Sequence, residues 1–165
     1  MKEFYFIRHA KTKYNLENRY TGSHDISIIK EQYLPDLSID SGIAIISSPM
    51  LRALQTIELM SLDNKTEIYI FDSLKERDFG IMNGKKKPSY AKRFFYKGET
   101  YYQFRKRVLQ EFQYITKKYD KFVIVSHSGV YKVLYEYLKE GNPHLKPTIN
   151  NLELVKFRMN RTYEK

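Results

Sequence analysis

An α/β fold with a mostly parallel central sheet is predicted by three features of the sequence. Short β-branched and aromatic runs recur at Phe4–Ile7, Gly42–Ser47 and Phe122–Val125, and each leads into polar residues and then a helical pattern. Alternation of strand and helix builds βαβ units, whose strands lie parallel. Nothing divides the chain: it has no internal repeat, low-complexity tract or long linker, so residues 1–165 are expected to form a single domain.

In chain order, FYFIRHAKTKYN (Phe4 to Asn15) reads as a buried strand that ends in a charged loop, with Arg8 and His9 where the strand stops. In such folds ligands bind in the crevice beyond the carboxyl ends of the strands. Lys11 to Asn18 is expected to be a polar loop with a short helical turn, and Arg19 to Asp25 a loop in which Gly22 permits a tight turn. Ser27 to Leu37 reads as a short helix and Asp40 to Ser47 as a strand. Ser48 is then placed to cap a helix over Met50 to Met60, with Pro49 at its first position. Met50, Ala53, Leu54, Ile57 and Met60 form the apolar stripe of that helix, and Arg52 falls off it.

Glu67 to Phe71 alternates as a third strand, and LKERDFGIMNG (Leu74 to Gly84) follows as a loop carrying Glu76 and Arg77. Taken alone, Glu76 beside Arg77 reads as a surface ion pair. Lys85 to Lys97 is basic and aromatic and is expected to be a helical insertion near the mouth of the site. Thr100 is an N-cap candidate for a long helix that buries Phe104, Val108, Phe112 and Ile115. FVIVSHSG (Phe122 to Gly129) repeats the design of the first strand and delivers His127. The following helix buries Val130, Val133, Leu134, Tyr137 and Leu138 and is expected to stop at Gly141. Asn151 to Phe157 is a last strand, ahead of a basic tail.

A single Arg after a strand is usually a solvated charge, and a single His is more often packed than catalytic. Convergence changes that weighting. Neighbouring parallel strands lie about 4.8 Å apart, so His9 and His127 can face one another across one pocket. With Arg8 and Arg52 they would make a cationic cup suited to a phosphate dianion, which guanidiniums bind bidentately and helix N-termini favour.

The segments IRHAKTKYN, SSPMLRALQT, LKERDFGIMNG and VSHSGV occur in the order and approximate spacing of the histidine phosphatase superfamily, the phosphoglycerate-mutase-like proteins, which the chain resembles over nearly its whole length. That resemblance implies a three-layer α/β/α domain and phosphoryl transfer through a covalent phosphohistidine. His9 would be the nucleophile, Glu76 the proton donor, and Arg8, Arg52 and His127 the phosphate ligands, with Asn15 within reach of the same anion. Thr12, Gly22, Arg77 and Ser128 are candidates for the substrate side. The family needs no metal, and no cofactor is expected.

Phosphomonoester hydrolysis is favoured over phosphoglycerate mutase activity. The chain is much shorter than typical mutases of the superfamily, whose extra segments enclose the substrate and exclude water. Two departures from the family pattern stand out: Ala10 replaces the usual glycine after the nucleophile, and Ser128-Gly129 replaces Gly-Gly. Ala10 resembles the short protein phosphohistidine phosphatases, an alternative that the presence of Glu76 opposes.

Composition bounds the remaining readings. Hydrophobic content of 42% with 29% charged residues fits a globular protein. No apolar run approaches the roughly 20 residues that span a bilayer, and the N-terminus does not resemble a signal peptide, so a cytoplasmic protein is expected. The absence of cysteine excludes a thiol nucleophile and thiolate metal sites. A metal pair of His24 and Asp25 is rejected, because no ligand spacing supports it and the cup would repel a divalent cation.

The formal charge of +10 raises nucleic-acid binding or a noncatalytic phosphate-binding module as alternatives. Basic residues are dispersed, however, with one tight cluster at Lys85 to Lys87. A small anionic phosphomonoester is therefore the expected partner, bound by a monomer or homodimer.

Overall fold

The computed structural model describes residues 2–33, 42–88, 97–142 and 144–159. Five strands, β1 (Lys2–Arg8), β2 (Ala44–Ser47), β3 (Ile68–Ile70), β4 (Phe122–Ser126) and β5 (Leu154–Met159), form one sheet in the order β3-β2-β4-β1-β5. All neighbours are parallel except β1 and β5. The expected α/β class is thus observed, with the antiparallel partner at one edge.

Period-two alternation along the strands sends side chains to two separate cores. On one face, Ile7, Ile45, Val123 and Val125 meet Ala53 and Ile57 of α2 (Leu51–Glu58). On the other, Phe4, Phe6, Ile46 and Ile124 meet α3 (Tyr101–Lys118) and α4 (Ser128–Leu138) through Phe104, Phe112, Val130 and Leu134. Helices on both faces make three layers. Phe4 stacks between Phe157 and Phe122, with ring centroids 4.8 and 5.0 Å away, which ties the antiparallel edge to the central strands. Such pairs contribute about 0.5–1.5 kcal/mol each beyond area burial.

Thr100 caps α3 as expected, in a reciprocal capping box with Gln103. Phe104, Val108, Phe112 and Ile115 form its buried face. Another box, Thr12 with Asn15, starts the one-turn helix α1 (Lys13–Leu16).

Four local expectations are corrected. Ser48 does not cap α2: the helix starts at Leu51, Met50 is its N-cap, and the Leu51 N–H is taken by the carboxylate of Asp25 at 2.7 Å. Residues 27–33 are not helical: Ile28 is held extended in an antiparallel bridge with Thr12, Glu31 adopts φ +63°, and the Ile29 carbonyl, which a helix would offer to the Tyr33 N–H, accepts from the Gln32 side chain. The last strand starts at Leu154 rather than Asn151, since Leu152 adopts φ +61° and donates its N–H to the Arg8 carbonyl. Residues 85–88 are not helical either, and Lys86 bridges Arg19. Residues 34–37 of the expected helix, residues 89–96 of the 85–97 insertion, the start of the Asp40 strand and the tail beyond Met159 lie outside the described residues.

Candidate active site

The sheet register aligns three strand ends. Arg8 is level with Ser126, and Ser47 with Val125, so the chain leaves β1, β2 and β4 at one height. Because β4 lies between β1 and β2, His127 emerges between the Arg8-His9 pair and the start of α2. The two imidazole centroids are 5.2 Å apart, with rings tilted by 58°.

His9 is buried and held by its own backbone. Its N–H donates to the Ser126 carbonyl at 2.9 Å, and its carbonyl accepts from Asn151 Nδ2 at 2.7 Å. Its ring Nδ1 lies 2.7 Å from the Ala10 carbonyl. A carbonyl only accepts, so the proton sits on Nδ1 and Nε2 keeps its lone pair. Burial, then the positive charges of Arg52 and Arg8, hold the imidazole pKa well below its ordinary value of 6.5. Neutral His9 is therefore the resting form at neutral pH.

His127 is the N-cap residue of α4 and is fully buried, and its Nε2 lies 2.8 Å from Ser48 Oγ. Its pKa is also well below 6.5, first through burial and then through Arg52, His9, Arg8 and Arg107. Arg52 is as deeply buried. Its Nη1 donates to the His24 carbonyl at 2.8 Å and its Nη2 to the Gly22 carbonyl at 3.0 Å. Burial lowers its pKa to about 10, partly offset by Glu76 and Asp25, so it stays protonated at neutral pH. Arg8 is half-buried and donates from Nη1 to the Ile149 carbonyl.

Among the described residues neither guanidinium has a carboxylate within ion-pair distance. Arg8 Nε, Arg52 Nε and His127 Nδ1 are also buried without a hydrogen-bond partner. Buried cations and donors are ordinarily satisfied. Two cations and three open nitrogens around one imidazole pair suit an anion rich in acceptors, such as a phosphoryl group.

Glu76 follows a 3-10 turn at Asp72–Leu74 and is nearly buried rather than paired at the surface. Its Oε1 accepts from the Arg77 backbone N–H at 2.9 Å and its Oε2 from the Gly129 N–H at 3.1 Å, which brings it to the N-terminus of α4. A Cβ at position 129 would lie 2.1 Å from Glu76 Oε1. The second position of the expected Gly-Gly thus has a steric reason to remain glycine, whereas Ser128 is exposed on the first turn of α4. Glu76 borders an open cleft of about 480 Å³, shared with Ser23, Asp25, Asp78 and Lys75.

The other expected residues occupy definite positions. Thr12 is buried, and its hydroxyl is engaged in the α1 cap. Asn15 supplies the reciprocal oxygen of that cap through Oδ1, to which Asn151 also donates at 3.4 Å. Gly22 has φ +50°, and its carbonyl anchors Arg52. Arg77 donates from Nε to the Glu99 carbonyl at 2.8 Å. Ala10 fits: it is buried, and its N–H donates to Thr56 Oγ1 at 2.8 Å.

Ser48, Thr56, Asn151 and Arg107 also shape the site and were not anticipated as parts of it. Ser48 has a visible signal, adjacency to the second strand end, although the same pattern also suits a helix cap. The other three act across 46 or more residues or, for Arg107, about 31 residues, which leaves no mark in local sequence. Among the described residues no cluster of three or more His, Asp or Glu side chains is arranged to hold a metal ion. Among them, too, no helix is long and apolar enough to cross a membrane.

Comparison with known proteins identifies relatives of the chain and of its fold. The Bacillus subtilis (strain 168) protein named "Uncharacterized phosphatase PhoE" is 27% identical over 157 residues, covering 86% of this chain and 80% of that protein. Bacillus stearothermophilus YhfR shares the fold at TM-score 0.79 and 20% identity, over 98% of this chain and 93% of its own. A candidate alpha-ribazole-5'-P phosphatase from Escherichia coli K-12 does so at TM-score 0.80 and 18% identity, over 98% and 92%. The family profile described as histidine phosphatase superfamily (branch 1) matches residues 4–163, nearly the whole length, and the chain belongs to that superfamily.

Proposed function

We propose that this phosphatase is a single-domain, metal-independent phosphomonoester hydrolase of the cytoplasm that works through a phosphohistidine intermediate on a small anionic phosphorylated metabolite. The observation that carries this reading is the 2.7 Å contact between His9 Nδ1 and the Ala10 carbonyl, because it aims an unprotonated Nε2 away from the backbone beside the buried Arg52 and half-buried Arg8 guanidiniums. Nε2 attacks phosphorus as the ester P–O bond breaks, and Arg8, Arg52 and His127 hold the non-bridging oxygens. Glu76 gives its proton to the departing alkoxide. As a carboxylate it then takes a proton from water, whose oxygen attacks phosphorus, breaks the P–N bond and regenerates His9.

The cleft next to Glu76 carries both signs of charge, with Asp25, Asp72 and Asp78 as well as Lys75 and Arg107 on its lining. The strongly anionic part of the substrate is accordingly the phosphoryl group itself, and the remainder is small and polar. The test is hydrolysis of a panel of phosphomonoesters, both phosphoglycerates included, in the presence of a chelator. Turnover that survives chelation and disappears in His9→Ala is expected. Full activity in His9→Ala, or activity that requires an added divalent ion, would overturn the reading.

A further inference from the structure

Arg107, on the second turn of α3, lies outside the cage of imidazoles and guanidiniums, yet all five of its N–H donors are engaged. Nε and Nη2 form a fork on the Glu99 carboxylate at 2.7 and 2.9 Å. Nη1 donates to the carbonyls of Ser73 and Lys75 at 2.7 and 2.9 Å, and Nη2 also reaches the carbonyl of Glu76 at 3.2 Å. The guanidinium carbon lies 4.9 Å from the centroid of the buried Phe104 ring, which supports it from below. Three carbonyls in four consecutive residues are thus fixed by one cation whose own position is set by a carboxylate and an aromatic ring.

The segment held in this way is the one that delivers Glu76. Beyond Leu74 it has no strand or α-helix to define its path, and Glu76 must approach the Gly129 N–H to 3.1 Å. We propose that Arg107, locked by Glu99, is a positioning residue that sets where Glu76 presents its proton. This inference rests on the assignment of Glu76 as general acid. Lysine cannot substitute, since an ammonium has three donors and no planar fork with which to bridge a carboxylate and three carbonyls.

Positioning and direct substrate binding by Arg107 are separated by leaving-group dependence. kcat/KM reports phosphoryl transfer to His9, and a displaced acid matters most when the departing oxygen is a poor leaving group. Arg107→Lys and Glu99→Gln are compared with the unchanged enzyme and with Glu76→Gln on p-nitrophenyl phosphate and on an alkyl phosphate such as glycerol 2-phosphate. General acids contribute roughly 10²–10⁴-fold, so a partly misplaced one should lower alkyl phosphate kcat/KM by about 10- to 100-fold. The same variants should lose less than about threefold on p-nitrophenyl phosphate and keep inhibition by inorganic phosphate unchanged.

Glu99→Gln retains the side-chain shape and provides the second reading if Arg107→Lys folds poorly. Equal losses on both substrates in folded variants, or weakened phosphate inhibition, would overturn the positioning role while leaving the Glu76 assignment intact. Equal losses in Glu76→Gln would instead remove the assignment itself, and the positioning role with it.

Discussion

The two halves of the candidate site are built by different means. Arg8, His9 and His127 stand at the ends of adjacent buried strands, and Arg52 on the first turn of the helix that follows a third, so sheet register fixes their relative height. Glu76 is carried by a segment with little regular structure and is held by hydrogen bonds from Arg107, Arg77 and Gly129. Preorganisation therefore comes from backbone ladders in the first case and from side-chain bracing in the second. A change in the first region should affect every substrate, and a change in the second only those that need a proton delivered.

Substitution of Arg52 strikes the strand-end cage hardest. Arg52→Met removes a buried guanidinium that has no carboxylate partner, and loss of one charge-stabilising donor commonly costs 10²–10³-fold in rate. A fall in kcat/KM of about that size is expected on good and poor leaving groups alike. Its unfolding temperature need not drop in proportion, since an uncompensated buried charge leaves with it. A loss confined to poor leaving groups would erase the distinction between the two regions.

Gly129→Ala acts where the regions meet. Its new Cβ would lie 2.1 Å from Glu76 Oε1, and the cheapest relief is movement of that carboxylate. Alanine is the better helix former by up to about 1 kcal/mol, so stability should hold or rise while alkyl phosphate turnover falls about tenfold or more. Calorimetry together with the two-substrate assay checks this; parallel loss of stability and activity would show that the backbone, not Glu76, had yielded.

The pH dependence of stability sharpens the contrast further. His9 and His127 have folded pKa values well below 6.5, the value they regain on unfolding. The unfolded chain therefore binds more protons below about pH 6.5. Stability from this source is complete above that pH and is lost as pH falls toward the folded values, by up to about 1.4 kcal/mol per pH unit for each histidine. Unfolding temperatures at pH 7.5 and 5.5 should differ by several degrees, and the difference should shrink in the His9→Gln, His127→Gln double variant. An unchanged slope in that variant would place the pH sensitivity elsewhere.

This division also explains what could be read from the sequence. Arg8, His9 and His127 were legible because a β-branched run that ends in a charged or imidazole residue is a local pattern, and its fold-level consequence is general. Arg52 was ambiguous: the helical stripe put it off the core, but the loop carrying Gly22 and His24 folds over it and buries it completely. Glu76 looked like half of an ion pair with Arg77, yet it takes the Arg77 backbone N–H and leaves the guanidinium to reach Glu99. Arg107 resembles any charged residue on an amphipathic helix. The absent helix over 27–33 has the same origin, because Thr12, distant in sequence, pairs with Ile28 in an antiparallel bridge and holds the segment extended. Strand ends are written locally, and braces are not.

The central claim, that converging strand ends make His9 the phosphoryl acceptor, is tested most directly by trapping the enzyme during turnover of a labelled phosphomonoester and mapping the label by mass spectrometry under conditions that preserve phosphoramidates. The account predicts an acid-labile phosphate on the peptide containing His9, absent from His9→Ala. Turnover with no trapped phosphoenzyme in Glu76→Gln, where breakdown of the intermediate should be slowed, or label on any other residue, would contradict it.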